Sequence, residues 1–323
     1  MTNDATSSKA QDQPLLVTGG AGFIGSHLVE AFLAQGHPVV VLDDLSTGDA
    51  KRLPKEVRLE RGDLRDAALP ELLREERIHA VFHLAAQIDV RKSMADPLFD
   101  AEVNILGTIR LAQAAAAERV SQIVFSSTGG AIYGDPDGFA ADENHPTRPY
   151  SAYGIAKLAG EKYLDALCSE AGVKVTCLRY SNVYGPRQDG RGEAGVIGIW
   201  MNRLLGGEEA VIYGDGLQSR DFIHVADVVA ANRAAFESGK SGIFNIGAGV
   251  ETTINELYRL VAESCGVSRP ARYLPGKPGE QRRSVLDVSK AARELGLVEH
   301  VPLAGGLNAT ALWFRGHRAF QGL

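Results

Sequence analysis

The chain is poor in cysteine: among its 323 residues there are only Cys168, Cys177 and Cys265. An odd number at wide spacing argues against a disulfide framework and against a zinc site, so no metal is expected. No apolar run approaches the roughly 20 residues that span a bilayer, which excludes a membrane helix. Basic residues are not in excess either. Lys and Arg number 34 against 40 Asp and Glu, and the net charge of −6 gives no support to a nucleic-acid or membrane-surface partner. Residues 1–13 are polar and lack the apolar core of a secretory signal, so they read as a disordered leader. There is no solenoid-type repeat and no low-complexity tract. These absences leave the cytoplasm as the expected location. What remains is an ordinary globular composition, 45% hydrophobic and 23% charged, in a chain long enough for one large core or two moderate ones.

Against that background one stretch stands out, Leu15-Leu-Val-Thr-Gly-Gly-Ala-Gly-Phe-Ile-Gly-Ser-His27. Leu15 to Thr18 has the length and character of a buried strand. Glycines follow at 19, 22 and 25, and Leu28, Val29, Phe32 and Leu33 then recur at helical spacing. A strand, a glycine turn and a helix N-terminus form a pyrophosphate site, because exposed N–H groups and the positive end of the helix dipole favour an anion. A second apolar run, Pro38 to Leu42, ends in Asp43, about where a carboxylate would hold an adenosine ribose. Asp43 would accept from both ribose hydroxyls and repel a 2′-phosphate, which points to NAD rather than NADP. The competing and weaker reading of Asp43 alone is a solvated loop carboxylate.

Strand and helix then alternate. Val57–Leu59 is a short strand candidate leading to Asp63, whose carboxylate could meet the adenine amino group. Leu69–Arg77 is helical, and Ala80–Ala86 is a buried strand ending in small residues. Leu98–Glu118 is a long helix that carries Asn104. Ile123–Ser126 is the next strand, Ser151 opens a helix, and Val173–Leu178 is a further strand. Such alternation predicts a parallel, doubly wound sheet. The pattern breaks down later, with a loop at 190–195, a helix at Val196–Leu205 and a short strand at Val211–Tyr213. The run Phe222–Phe236 is expected to return to the sheet. From about Thr252 a smaller mixed lobe is expected.

The second chemical anchor is Tyr153-Gly-Ile-Ala-Lys157. Residues four apart share a helix face, so phenol and ammonium can enter one cleft. A lysine cation there, with an oxidised nicotinamide, would pull the phenol's pKa down from about 10 toward working pH. Spacing alone decides nothing. Tyr273–Lys277 has the same spacing, but Pro275 and Gly276 forbid a regular helix.

From about Pro14 to Leu297 the chain resembles an extended short-chain dehydrogenase/reductase, most closely the nucleotide-sugar epimerases of the UDP-glucose 4-epimerase type. The resemblance is carried by Thr18–Gly25, Leu42-Asp-Asp-Leu-Ser46, Gly62-Asp-Leu64, His83-Leu-Ala-Ala86, Phe125-Ser-Ser-Thr128, Tyr153–Lys157, Arg179-Tyr-Ser-Asn182 and Ser219–Val225. It implies an α/β fold, with a Rossmann-type doubly wound parallel sheet and a smaller C-terminal substrate-binding α/β lobe. The implied NAD-binding domain is 14–181 with about 222–245. The implied sugar lobe is about 182–221 and 246–323. Implied cofactor contacts come from Gly19, Gly22, Phe23, Ile24 and Gly25, then Asp43, Asp44 and Ser46. Further along they come from Asp63, Leu64, Leu84, Ala85, Ala86 and Asn104, and finally Tyr153, Lys157 and Tyr180.

Tyr153 would then take the proton of the sugar 4-hydroxyl while hydride passes to NAD. Thr128 would hold that hydroxyl, and Lys157 would bind the nicotinamide ribose and tune Tyr153. Asn182 and Arg220 match the family's diphosphate ligands. Tyr213, Glu280, Arg282 and Ser284 complete the implied substrate set with Thr128 and Tyr153. On its own, Arg220 reads as a surface ion pair; for Asn182 and Tyr180 the weaker alternative is that they are turn and core residues.

Two departures matter. Related dehydratases and decarboxylases carry acids directly after the Ser/Thr, whereas Gly129 and Gly130 stand there in this chain, which favours plain epimerisation. Ser181 replaces an aromatic common between Tyr180 and Asn182. By alignment Ser284 occupies a gatekeeper position, and its small size implies room for UDP-GlcNAc and UDP-GalNAc beside UDP-glucose and UDP-galactose. The alternatives are a UDP-glucuronate 4-epimerase, a nucleotide-sugar reductase with exchangeable cofactor, and a non-catalytic NAD-binding protein. The family commonly dimerises through a four-helix bundle, so a homodimer is implied through the helices near 98–118 and 151–168.

Overall fold

The structure, a computed structural model, describes residues 13–66, 68–136, 140–190, 195–276 and 281–320. Apart from Gln13, the leader expected at 1–13 lies outside them, as does Glu280. The chain forms two compact units. One draws on 1–132, 149–179 and 231–244, and the other on 133–148, 180–230 and 245–323.

The first unit is built on β1 (Leu15–Thr18), α1 (Phe23–Ala34), β2 (Val39–Asp43), β3 (Arg58–Arg61), α2 (Leu69–Glu75) and β4 (Ala80–His83). It continues through α3 (Val90–Ala95), α4 (Pro97–Ala101), α5 (Gly107–Ala117), β5 (Gln122–Thr128), α6 (Ala152–Ser169) and β6 (Lys174–Tyr180). With the returning strand Gly242–Ile246, these strands form one sheet in the order β3-β2-β1-β4-β5-β6 and then that strand. Neighbours from β3 through β5 pair in parallel. The order reverses at β1, and the outer ends of β1 and β4 make the crevice in which open α/β sheets take ligands. β1 is fully buried because strands flank it and helices cover both faces; Leu16 pairs with Val40 on one side and Val81 on the other. Leu16, Val81, Ile123 and Phe125 pack with Leu111, Ala115 and Leu164 of α5 and α6 into one core.

Three expectations are corrected here. The long helix at 98–118 is interrupted by a π-helical turn, Glu102–Leu106, between α4 and α5. Such turns widen the helix by one residue and are common at functional sites; this one holds Asn104. The strand expected over Ala80–Ala86 leaves the sheet after His83, because the Ala85 N–H turns to the Thr18 hydroxyl at 3.2 Å. The return to the main sheet comes later than Phe222–Phe236. Val225–Ser238 is helical, with Val225, Val228, Ala231 and Ala235 making its buried stripe.

Ser219–His224 belongs to a small sheet of the second unit, antiparallel to Glu251–Thr253 and parallel to Asn182–Tyr184 and Arg283–Ser284. Val211–Tyr213 pairs with Arg272–Leu274. The helix Val196–Leu205 packs Trp200, Met201 and Leu204 against Leu257, Val261 and Phe314 in this unit's own core.

Candidate active site

The glycine turn has the expected geometry. Gly19 lies in the left-handed region at φ 70°, and a Cβ there would sit 2.7 Å from the Ala85 backbone nitrogen. Its N–H donates to Leu42 O at 2.8 Å, and its carbonyl accepts from Gly22 N at 3.1 Å. Helix α1 begins at Phe23 behind Gly22, with no side-chain cap on its first turn. An uncapped helix start approached by bare backbone fits a pyrophosphate, and the first-turn amides of Phe23, Ile24 and Gly25 are the groups that would hold it.

Asp43 is almost buried, with Oδ2 accepting from Ala21 N and Oδ1 from Leu45 N, each at 2.9 Å. This orients the carboxylate and leaves it the lone pairs a ribose diol needs. Asp44 accepts from Ser46 N at 2.8 Å and from Ser46 Oγ at 2.7 Å, shaping the loop after β2. Asp63 gives both oxygens to Arg65, at 2.9 Å from Nε and 2.6 Å from Nη2, and that guanidinium holds its carboxyl below the ordinary range. Any adenine contact at Asp63 therefore rests on its remaining lone pairs. The neighbouring Leu64 is buried.

Leu84, Ala85 and Ala86 leave β4 along a polar chain that ends at Asn104. Burial lowers the His83 pKa to about 3, so its imidazole is neutral. Thr108 Oγ1 donates to Asn104 O at 2.7 Å, which spends its only proton. His83 Nε2 must therefore carry the hydrogen donated to Thr108 at 3.0 Å, leaving Nδ1 to accept from Thr18 Oγ1 at 2.9 Å. The Asn104 side chain accepts from Gln87 N at 2.9 Å and donates to Gln87 O at 2.8 Å and Asp100 Oδ1 at 3.0 Å. It braces the loop after β4.

Thr128 closes β5, and Gly129–Ile132 makes a helical turn directly after it. Ser151 caps α6 by accepting from Gly154 N at 3.1 Å, and the Tyr153 N–H donates to Ser93 Oγ at 3.1 Å. Lys157, one turn on, is buried; its Nζ donates to Ser126 O at 2.9 Å and stands 4.8 Å from the Phe125 ring centroid. The lowering expected of the Tyr153 phenol calls on the lysine cation and an oxidised nicotinamide together; the protein's own field acts the other way. Burial, and then the Asp100 carboxylate, push the phenol above its ordinary value. Lys157 moves the other way, down to about 8, because burial outweighs the support of Asp100 and Glu161.

The Lys157 shift carries a stability signature. Between about pH 8 and the ordinary 10.5, the unfolded chain holds a proton that the folded chain has released. Stability therefore rises with pH across that window, and the cost of burying the charge is felt in full below it. The parent protein should gain on a Lys157→Met variant as denaturant midpoints are compared from pH 7.5 to 10. A constant difference would contradict the shift.

In the second unit a cavity of about 210 Å³ is lined by Asn182, Tyr213, Arg220, Gln188, Gln218 and Trp200, among others. Asn182 Nδ2 donates to Asp221 O at 3.1 Å, and Arg220 Nη1 donates to Ser219 O at 2.8 Å. Three expected substrate residues thus meet here: Asn182, Tyr213 and Arg220. Arg282 and Ser284, also expected at the substrate, do not line this cavity, nor does Tyr180, expected at the cofactor. Tyr180 is buried at the end of β6, and Arg282 is exposed and pairs with Asp215 at 3.6 Å. Ser284 is buried in the strand ladder opposite Arg220.

A parallel sheet with a glycine turn after its first strand, a threonine closing β5 and a Tyr-Lys pair on the next helix defines a short-chain dehydrogenase/reductase. The chain belongs to the NAD dependent epimerase/dehydratase family, which it matches over residues 15–247. It is 44% identical over 306 residues to a UDP-glucose 4-epimerase of Mycolicibacterium smegmatis, covering 93% of this chain and 98% of that one. A crystal structure of UDP-glucose 4-epimerase with UDP-glucose from Thermotoga maritima superposes with a TM-score of 0.93 at 43% identity, covering 95% of this chain and all of the other. A UDP-N-acetylglucosamine 4-epimerase from Methanobrevibacter ruminantium, in complex with UDP-N-acetylmuramic acid, does so at 0.90 and 34% identity, over 95% of this chain and 99% of that one.

Several residues of the site were not anticipated from sequence. Gln188 and Gln218 line the cavity, and Asp221 accepts from the backbone of Ala248 at 2.9 Å and Gly249 at 3.2 Å. Gln218 lies two residues before Arg220 on a neighbouring stretch, a signal that was available. Glu161 extends the Tyr153–Lys157 face by one more turn and was equally within reach.

Proposed function

We propose that this chain epimerises a UDP-hexose at C4, interconverting UDP-glucose and UDP-galactose through a 4-keto sugar with NAD retained between turnovers. The observation that carries this reading is the placement of Thr128 at the end of β5 and of Tyr153 and Lys157 on the first turns of α6, in the unit that holds the glycine turn. When bound, NAD supplies the hydride acceptor and donor for C4. Tyr153 takes the 4-hydroxyl proton and returns it, and Thr128 orients that hydroxyl. Lys157 and Asp43 hold the two riboses, and Asn182 and Arg220 hold the diphosphate, for which a guanidinium fork is suited. Gly129 and Gly130 follow Thr128 in a helical turn without a carboxylate, so the extra acid that elimination demands is not supplied there.

NMR of purified protein with UDP-galactose, UDP-GalNAc and UDP-galacturonate, and no added NAD, tests the reading. Conversion of UDP-galactose to its gluco epimer is expected, and the relative rates rank the three sugars. No conversion of any of them, even with NAD supplied, would overturn it in favour of another nucleotide sugar or a reductase. Acceptance of N-acetylhexosamines is proposed from the small size of Ser284 at its aligned position alone; no turnover of UDP-GlcNAc beside brisk UDP-glucose turnover would refute that part.

The exposed apolar side chains Met94, Leu98, Leu106, Ile155 and Tyr163 on α3, α4, the π turn and α6 support a homodimer through these helices. Sedimentation at monomer mass at micromolar concentration would refute it. Among the described residues no helix is long and apolar enough to cross a membrane, and the three cysteines are free and buried. We place the enzyme in the cytoplasm.

A further inference from the structure

Beneath the proposed catalytic residues lies a buried ion pair that the reaction as described does not use. Glu161 follows Lys157 by four residues on α6 and so continues the same face. Its Oε1 accepts from Arg179 Nε at 2.9 Å and from Ser127 Oγ at 2.5 Å, and its Oε2 accepts from Arg179 Nη2 at 2.6 Å. Both charged side chains are 2% exposed. Burying two charges is costly, and a pair of apolar residues of similar volume commonly serves stability as well or better. The surroundings are suited to such a replacement, since the neighbouring Phe125, Leu164, Cys168 and Cys177 belong to one apolar core. The bond beyond the pair itself that a hydrophobic replacement would lose is the one from Ser127 of β5. Ser126 is held by Lys157 through its carbonyl, Ser127 by Glu161 through its hydroxyl, and Thr128 comes next.

We propose that Glu161 and Arg179 are positioning residues for the epimerisation: through Ser127 they lock the end of β5 that bears Thr128 to the helix that bears Tyr153 and Lys157, and they set a fixed negative charge beside Lys157. This rests on the catalytic reading of those three residues. The groups acting on Lys157 are Glu161 from its own helix, Asp100 from α4 and the neutral His83 from β4; Tyr153 shares its helix face, and Arg179 from β6 faces Glu161. Without the Glu161 carboxylate, Asp100 is the anion left to support the ammonium, and the lysine loses its proton at lower pH.

The test compares Ser127→Ala, which cuts the tie to β5 and spares the ion pair, with the double variant Glu161→Leu, Arg179→Met, which removes both charges together and leaves neither unpaired. Each is assayed with UDP-galactose for kcat, KM and the pH profile, with a thermal melt to verify folding. Ser127→Ala should lower kcat about threefold to tenfold with KM within twofold and the alkaline limb unmoved. The double variant should melt near the parent, lose at least tenfold in kcat and shift its alkaline limb to lower pH. A folded double variant with parental kcat and limb would overturn the proposal. So would parental kcat in Ser127→Ala if the double variant fails to fold. Tyr153→Phe in the same assay separates the two readings. Full activity there would bring down the catalytic assignment itself, whereas a dead Tyr153→Phe beside parental positioning variants would bring down only the positioning role.

Discussion

Replacing Tyr153 with phenylalanine should slow conversion of UDP-galactose about a thousandfold while leaving bound NAD and the melting temperature close to the parent's. Positioned acid–base groups contribute about 10²–10⁴ in rate, and a thousandfold loss corresponds to about 4 kcal/mol of barrier. The change removes one oxygen from a half-buried ring at the start of α6 and leaves the glycine turn and Asp43 untouched. The protein's own field strengthens the expectation, because burial and Asp100 both disfavour phenolate. Proton removal at neutral pH therefore depends on positive charge brought close, from Lys157 and from the oxidised nicotinamide. Rates by coupled assay and NAD released on denaturation provide the check. A variant within tenfold of the parent would mean that another group moves the proton.

Gly25→Ala should abolish NAD retention. Alanine is the better helix former by about 1 kcal/mol, so the exchange would stabilise an isolated α1. In the folded chain the new Cβ would lie 2.7 Å from Gly20 Cα and against Gly19 O, both of them backbone atoms of the turn that cannot swing aside. Overpacking of that kind costs about 1–3 kcal/mol, and relief requires moving the turn itself. The purified variant should carry less than about a tenth of the parent's NAD. Parental NAD content would refute the assignment of this turn to the pyrophosphate.

Much of the cofactor half was legible because its signals are local. A strand, three glycines and a helix form within fifteen residues, and Tyr153 and Lys157 share a face through a single turn of helix. The strands β1, β2, β4, β5 and β6 announced themselves as short apolar runs, since strands buried on both faces need no alternation. The return strand was misplaced for the same reason. Apolar residues at 222–236 mark burial, and only pairing decides that Phe222 lies opposite Asn182 in the small sheet while Gly242–Ile246 joins the large one.

The terms that the sequence alone could not supply at the site share one cause. From sequence, Tyr153 has a cation four residues away; the fold adds burial and Asp100 from another helix, which act against phenolate. Arg282 and Ser284 sit close in sequence to the expected ligands, yet the cavity takes its walls from Asn182–Tyr184, Val211–Tyr213 and Gln218–Phe222, which chain-distant pairing brings together. Asn104 was expected at the cofactor and is found bracing the loop that would meet it.

By itself, then, the sequence determined the class of protein: a glycine turn after β1 and a tyrosine and a lysine on one helix face, each encoded within a few consecutive residues whose backbone geometry their own side chains dictate. The tertiary structure decided how those groups are charged and held. Burial, the Glu161–Arg179 pair and the hydrogen-bonded chain through His83 depend on residues tens of positions apart. Desolvation and hydrogen bonding act through space, so these terms exist only once the chain has folded.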